Sequence, residues 1–192
     1  LTGEALFNEV FLDGVFIPDD MLVGRPGEGW KLARTTLANE RVSLSHDSSL
    51  GSGGEALVEI LANAPGQADE QRLTLLGQIL CDAQATSLFG LRSALRAVAG
   101  AQPGAEASIA KLVGVEHIQQ VWEVAVDWIG PAALVGAAPV GTERRSAHRD
   151  ATWMFLNSRC MSIAGGTTDV QLNIIGERLL GLPRDPEPAP RG

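Results

Sequence analysis

A single carboxylate interrupts an apolar stripe near the start of the chain. The stripe is formed by Trp30, Ala33, Leu37 and Leu44, which recur at the spacing of one helix face, and Glu40 falls on the same face. A carboxylate at such a core position is costly unless it is paired or has a chemical role, and burial raises a carboxyl pKa toward the range of a general base. Glu40 is therefore either a candidate base or a residue at the edge of the stripe that pairs with a basic neighbour.

A second candidate is the glycine-rich turn before the last predicted helix. Gly165 and Gly166 are followed there by Thr167, Thr168 and Asp169. Glycine lets a ligand approach the backbone closely, and the N–H groups and dipole at a helix N-terminus attract anions. The alternative is a plain helix-entry turn with Thr167 or Thr168 as its N-cap.

Other site chemistries have little support in the sequence. Cys81 and Cys160 lie far apart and the three histidines show no ligand spacing, so we expect no metal site. Motifs for a nucleophile elbow, a phosphate-binding loop or a dinucleotide-binding turn do not occur. The basic residues around His148 are either a phosphate contact or the solvated start of a helix.

Length, charge and composition limit the domain count and the kinds of partner that the chain can have. The chain has 192 residues, 45% of them hydrophobic, and a formal net charge of −8, so we expect one domain, or one domain plus a fragment. The lack of a basic face predicts no nucleic-acid partner, and the lack of an apolar run of about 18 residues predicts no membrane partner. Two distant cysteines and no signal peptide favour a cytoplasmic location. Because the chain opens at Leu1 without Met, we expect a piece of a longer protein.

Apolar periodicity predicts helices after a short β segment. Short apolar runs flank Asp13-Gly14, a hairpin signal, within residues 5–17. Helices are predicted over residues 30–48, 69–99, 105–129, 146–162 and 170–180, with a possible short one at 55–61. The core face of the 69–99 helix is predicted to contain Leu73, Leu76, Leu80, Ala83, Leu88, Leu91, Leu95 and Val98. The predicted fold is all-α, an antiparallel four-helix bundle preceded by a short β fragment.

Two long segments resemble the acyl-CoA dehydrogenase family. The junction between the middle β domain and the C-terminal helical domain of these enzymes resembles FNEVFLDGVFIPDDMLVGRPGEGWKLARTTLANERVSLS, and the end of the helical domain resembles MSIAGGTTDVQLNIIGERLLGLPRDP. The resemblance implies that residues 1–25 end the middle β domain and that residues 26–182 form the C-terminal helical bundle. Four prolines predict a disordered tail over residues 183–192.

The resemblance also implies an activity. Family members use FAD to dehydrogenate an acyl-CoA thioester between Cα and Cβ, usually as tetramers that pass electrons to electron-transferring flavoprotein. Most members carry the base just before the Gly-Thr of the turn, where this chain has Gly165. A minority, similar to isovaleryl-CoA dehydrogenases, carry the base on the first bundle helix directly before an Arg, as in Glu40-Arg41. Glu40 would then take the α-proton while the β-hydride passes to flavin N5.

The same resemblance assigns the remaining site residues. It places Arg41 and Gly166 next to the substrate, and Thr167, Thr168 and Asp169 next to the flavin nucleotide. For Asp169 the alternative is a first-turn charge that is favourable without any ligand.

Two departures from the family pattern favour a second possibility. No Arg followed closely by Phe-Gly occurs between residues 50 and 75, and the Gln and paired glycines that usually follow the third helix appear here as Asp127-Trp-Ile-Gly130-Pro131. These changes resemble actinobacterial members that act as unlike-subunit pairs, often on steroid or other bulky CoA thioesters. In this second possibility, the chain is a non-catalytic partner that completes a shared flavin site in a hetero-tetramer, rather than part of a homo-tetramer. A third possibility is an oligomerisation bundle without a site.

We predict that the 192-residue chain is inactive by itself, because most of the isoalloxazine pocket in such enzymes lies outside the helical domain. The purified chain should show no flavin absorbance and should not oxidise an acyl-CoA. A yellow preparation that oxidises an acyl-CoA would contradict this expectation.

Overall fold

The described part of the chain is mostly helical. The structure, a computed structural model, describes residues 1–5, 8–37, 53–63, 68–101, 104–135 and 147–184. Helix α1 covers residues 29–37 of this part, and the later helices are α2 (Gly54–Asn63), α3 (Glu70–Val98), α4 (Glu106–Ile129), α5 (Pro131–Val135), α6 (Ala147–Ser158) and α7 (Thr168–Arg178). These residues contain no β-strand, in agreement with the predicted all-α class. None of the described helices has the length and apolar character needed to cross a bilayer.

Local signals mark both ends of α3 and the end of α4. Asp69 is the N-cap of α3, and its carboxylate accepts a hydrogen bond from the Arg72 N–H at 2.8 Å. This contact satisfies one of the N–H groups that a helix start leaves unpaired. Gly100 follows α3 with φ +85°, and Gly130 follows α4 with φ +66°. Both have the left-handed conformation that glycine adopts without strain.

Helix α4 lies at the centre of the described structure. It packs against α2, α3, α6 and α7. Its buried residues recur every three or four positions and so form one continuous stripe. The stripe comprises Ala110, Lys111, Gly114, Ile118, Val121, Trp122, Ala125 and Trp128, with Ser108 and His117 beside it.

The hydrophobic core forms where α2, α3 and α6 meet the second half of α4. Leu57 from α2, Ile79 from α3 and Val121 from α4 are each fully buried in this cluster. The chain entering α2 lies directly on α4, since a Cβ added to Gly53 would stand 2.9 Å from a methyl carbon of Val121. Tight contacts of this kind require a residue without a side chain.

The predicted core stripe of α1 is wrong over its described residues. Trp30 is 73% exposed and Leu37 is 49% exposed. Periodicity identifies the apolar face of a helix, but it does not show what covers that face. Glu40, the position that the stripe was used to interpret, lies outside the described residues, as does Arg41.

The predicted core face of α3 is only partly correct. Ala83 is buried as predicted, but the other buried positions are Ile79 and Thr86. The leucine stripe along the second half of the helix is exposed instead, at Leu88, Leu91, Leu95 and Val98. A helix of 29 residues is about 43 Å long, and α2 and α4 cover only part of its surface.

Two architectural predictions are not confirmed. The described residues within 1–25 form no strand, and Phe11 and Phe16 among them are exposed. A hairpin by itself is marginally stable at best, so strands here need partner strands. The arrangement of the described helices around α4 does not establish a four-helix bundle, and it includes the short helix α5, which is absent from the predicted helices.

We predict that Leu57→Ala lowers the free energy of unfolding by about 3 kcal/mol, because it opens a cavity in the core cluster. Leu91→Ala is the matched control, since Leu91 is exposed on α3, and it should change stability by about 0.5 kcal/mol or less. Chemical denaturation of the two variants measures both values. Equal losses would show that α2 does not contribute to the core as described.

Candidate functional site

A tight glycine turn joins a 3-10 turn at Arg159–Ser162 to α7. Within it, the N–H of Gly166 donates a hydrogen bond to the Ile163 carbonyl at 3.1 Å. Gly165 and Gly166 have φ angles of +66° and +104°. A side chain would strain both conformations, so the two glycines allow the chain to reverse direction before α7.

The start of α7 is exposed. Thr167 is its N-cap, and the Thr167 hydroxyl oxygen accepts a hydrogen bond from the Val170 N–H at 3.3 Å. Thr167, Thr168 and Asp169 are all exposed to solvent. The first N–H groups of a helix have no partner within the helix, so this end of α7 presents donors to a ligand.

A buried glutamine holds the inner side of the turn. Gln171 is fully buried, and its Nε2 donates to the Gly165 carbonyl at 3.1 Å and to the Gly166 carbonyl at 3.3 Å. A Cβ added to Gly166 would stand only 2.7 Å from that same Nε2. The close approach of amide to backbone therefore requires glycine at this position. The other amide atom, Oε1, is buried and accepts no hydrogen bond from the described residues.

A buried lysine reaches the same carbonyl from α4. Lys111 is 6% exposed, and its Nζ donates a hydrogen bond to the Gly166 carbonyl. The described residues place no carboxylate at ion-pair distance from it. Burial lowers the pKa of Lys111, because the charged form loses hydration. The turn thus has a largely dehydrated cationic group directly behind it.

Helix α4 also holds the segment that leads into the turn. The side-chain amide of Gln119 donates to the Ser158 carbonyl at 3.0 Å and to the Ser162 hydroxyl at 2.8 Å. One turn further along, Glu123 and Arg159 form an ion pair at 2.7 Å. Together with Lys111, these contacts fix the approach to α7 against one rigid helix.

The geometry suits a ligand that carries both anionic and hydroxyl groups. Exposed N–H groups at the start of α7 can donate to phosphate or carbonyl oxygens. The exposed Asp169 carboxylate repels phosphate but can accept hydrogen bonds from a hydroxyl or amino group. Within the described residues, no cluster of histidine, cysteine or carboxylate side chains is arranged to hold a metal ion.

Comparison with known proteins identifies the family. Residues 27–180 match the family described as acyl-CoA dehydrogenase, C-terminal domain. The chain belongs to the acyl-CoA dehydrogenase family. It is 44% identical over 184 residues to acyl-CoA dehydrogenase FadE34 of Mycobacterium tuberculosis. The aligned residues cover 96% of this chain and 24% of that protein.

A second relative also matches most of this chain. Acyl-CoA dehydrogenase IpdE1 of Mycolicibacterium smegmatis is 35% identical over 188 residues, covering 96% of this chain and 45% of that protein. The chain therefore spans less than half the length of these curated relatives. The helical part described above corresponds to the C-terminal domain of the family.

Four of the six predicted site residues lie in the described part of the chain, where they are consecutive in sequence. Gly166, Thr167, Thr168 and Asp169 follow one another through the turn and into α7, and the last three are exposed. The roles assigned to them stay predictions. Glu40 and Arg41 lie outside the described residues, and the roles assigned to them also stay predictions.

Sequence reasoning missed the two residues that hold the turn, Lys111 and Gln171. Lys111 occupies a position on the apolar stripe of α4, which is the same kind of signal that singled out Glu40 on α1. A charged residue in a buried stripe could therefore have been noticed. Gln171 had no comparable signal, because a glutamine in the first turns of a helix is ordinarily exposed.

We predict that Gly166→Ala lowers the free energy of unfolding by about 2–3 kcal/mol, since it combines backbone strain with a clash against the Gln171 amide. Gly100→Ala is the matched control, because Gly100 also has positive φ but has no atom near an added Cβ. The control should lose only about 1 kcal/mol. Thermal or chemical denaturation compares them, and equal losses would exclude the close Gly166–Gln171 contact.

Proposed function

We propose that this chain is the C-terminal domain of an FAD-dependent acyl-CoA dehydrogenase that introduces a Cα=Cβ double bond into an acyl-CoA thioester. The observation that carries the proposal is the Gly165–Gly166 turn, which buried side chains hold against α4 so that the start of α7 is exposed. Its occurrence in a chain of this family supports a role in holding cofactor and substrate.

The residues of the turn fit a flavin nucleotide. Thr167 and Thr168 would present backbone N–H groups to its anionic part, and Asp169 would accept from a hydroxyl or amino group. Gly166 has no side chain to obstruct a ligand and is proposed to lie against the substrate. FAD, when bound, would accept the hydride released from the substrate Cβ.

Glu40 is the proposed general base that removes the α-proton. The structure offers support for a base outside the turn, because Gly165 occupies the position where most family members carry a Glu, and its φ of +66° suits glycine. Arg41 is proposed to contact the substrate beside Glu40. The proposal also includes electron-transferring flavoprotein as the electron acceptor, a tetrameric assembly and a cytoplasmic location.

A second candidate function is a non-catalytic subunit that completes the flavin site of a partner. No Arg followed closely by Phe-Gly occurs between residues 50 and 75, where many family members use that motif to hold the flavin pyrophosphate, and its absence favours this function. In that case the exposed start of α7 would contact a flavin held mainly by the partner subunit, and Glu40 would take no proton.

We predict that Glu40→Gln in the full-length enzyme lowers kcat by about 10²–10⁴-fold while FAD stays bound, because the amide keeps the shape of the side chain but cannot accept a proton. Steady-state oxidation of an acyl-CoA and the flavin absorbance of the purified protein measure the two effects. Glu116→Gln, an exposed position on α4, is the control and should leave both unchanged.

Two outcomes separate the candidates. Near-normal turnover of Glu40→Gln rejects Glu40 as the base. A full-length protein that purifies colourless alone but binds flavin together with the product of a neighbouring gene favours the partner-subunit function, whereas flavin in the protein purified alone favours the catalytic one.

A further inference from the structure

Only two of the 15 basic residues, Lys31 and Lys111, are lysines. Lys31 lies exposed on α1, whereas Lys111 is buried on the apolar stripe of α4. A cation in such a position loses hydration, and a neutral residue of similar size would avoid that cost. Packing alone therefore does not explain why a lysine occupies this position.

The contact that Lys111 makes determines the orientation of one peptide group. Its ammonium binds the Gly166 carbonyl from the buried side, where the Gln171 amide also reaches that oxygen. In a trans peptide the carbonyl and the following N–H point in opposite directions, and the structure contains no cis peptide bond among the described residues. The Thr167 N–H consequently points away from α4, toward the exposed side of the turn.

The same contact strengthens that N–H as a donor. A carbonyl that accepts a hydrogen bond from a cation polarises its peptide group, and hydrogen bonds in a chain reinforce one another, most strongly away from water. The described residues provide no acceptor for the Thr167 N–H. It is therefore available to an anionic oxygen of a ligand at the start of α7.

We propose that Lys111 is a positioning residue that fixes the Gly166 carbonyl inward and thereby directs the Thr167 N–H at an anionic oxygen of the bound cofactor. This inference rests on the proposed flavin-binding function of the turn. Lys111 itself does not touch the cofactor and acts through the Gly166–Thr167 peptide.

The test uses the full-length protein and three variants. Lys111→Met removes the ammonium but keeps an unbranched apolar chain, Lys111→Arg keeps a charged donor, and Lys31→Met removes the exposed lysine as a matched control. The measurements are the unfolding midpoint of the FAD-free protein, the Kd for FAD, the visible spectrum of the bound flavin, and kcat and KM for an acyl-CoA.

Lys111→Met should keep the unfolding midpoint of the FAD-free protein, because replacing a buried charge with an apolar side chain is often neutral or stabilising. Its Kd for FAD should rise about tenfold or more, and its flavin spectrum should shift, since one oriented donor is lost. Saturating FAD should recover most of kcat. The Kd of Lys111→Arg for FAD should lie within about threefold of that of the unchanged protein. Lys31→Met should match the unchanged protein in every measurement.

Two results would overturn the inference. Wild-type FAD affinity and spectrum in Lys111→Met would show that the lysine does not position the donor. Failure of Lys111→Met to fold, with Lys111→Arg folded, would show that the lysine serves the fold itself. If the unchanged full-length protein binds no FAD, alone or with a partner, the proposed function fails, which is a distinct result.

Discussion

Burial of one face of α4 is the constraint on which the rest of the described structure depends. The second half of that face joins α2, α3 and α6 in the hydrophobic core, while the first half faces the turn before α7. Small residues such as Gly114 and Ala125 lie on this face and let neighbouring helices approach closely. Because one rigid helix serves both the core and the turn, the turn geometry is tied to the packing of the whole domain.

The backbone conformation of the turn leaves inward-facing carbonyl groups that need hydrogen-bond donors. Two successive glycines with positive φ direct the carbonyls of Gly165 and Gly166 into the interior, where no helix N–H reaches them. A buried carbonyl without a partner is costly, so side chains must supply the donors. Gln171 does so from α7, and Lys111 does so from α4. The same two contacts leave the outer side of the turn open.

Helix positions were largely predictable, but their environments were not. The predicted helices over 69–99 and 105–129 correspond closely to α3 and α4, because caps and glycine signals act through neighbouring residues. Trp30 and the α3 leucine stripe show the limit of this reasoning. Their spacing is that of a core face, yet they are exposed in the described structure. Whether an apolar stripe is covered depends on elements far away in the sequence, and periodicity contains no information about them.

The sequence by itself determined the helical class, the main helix ends, the Gly165–Gly166 turn and a threonine N-cap for α7 at Thr167 or Thr168. Each of these depends on contacts within a few residues or on the conformational freedom of glycine, and the family resemblance followed from the same local motifs. Only the tertiary structure decided which stripe became the core and which side chains hold the turn. Lys111 and Gly166 are 55 residues apart, and their contact exists because α4 and α7 pack together. The stripe of α4 marks Lys111 as an unusual position, but no local pattern in the chain identifies Gly166 as its partner.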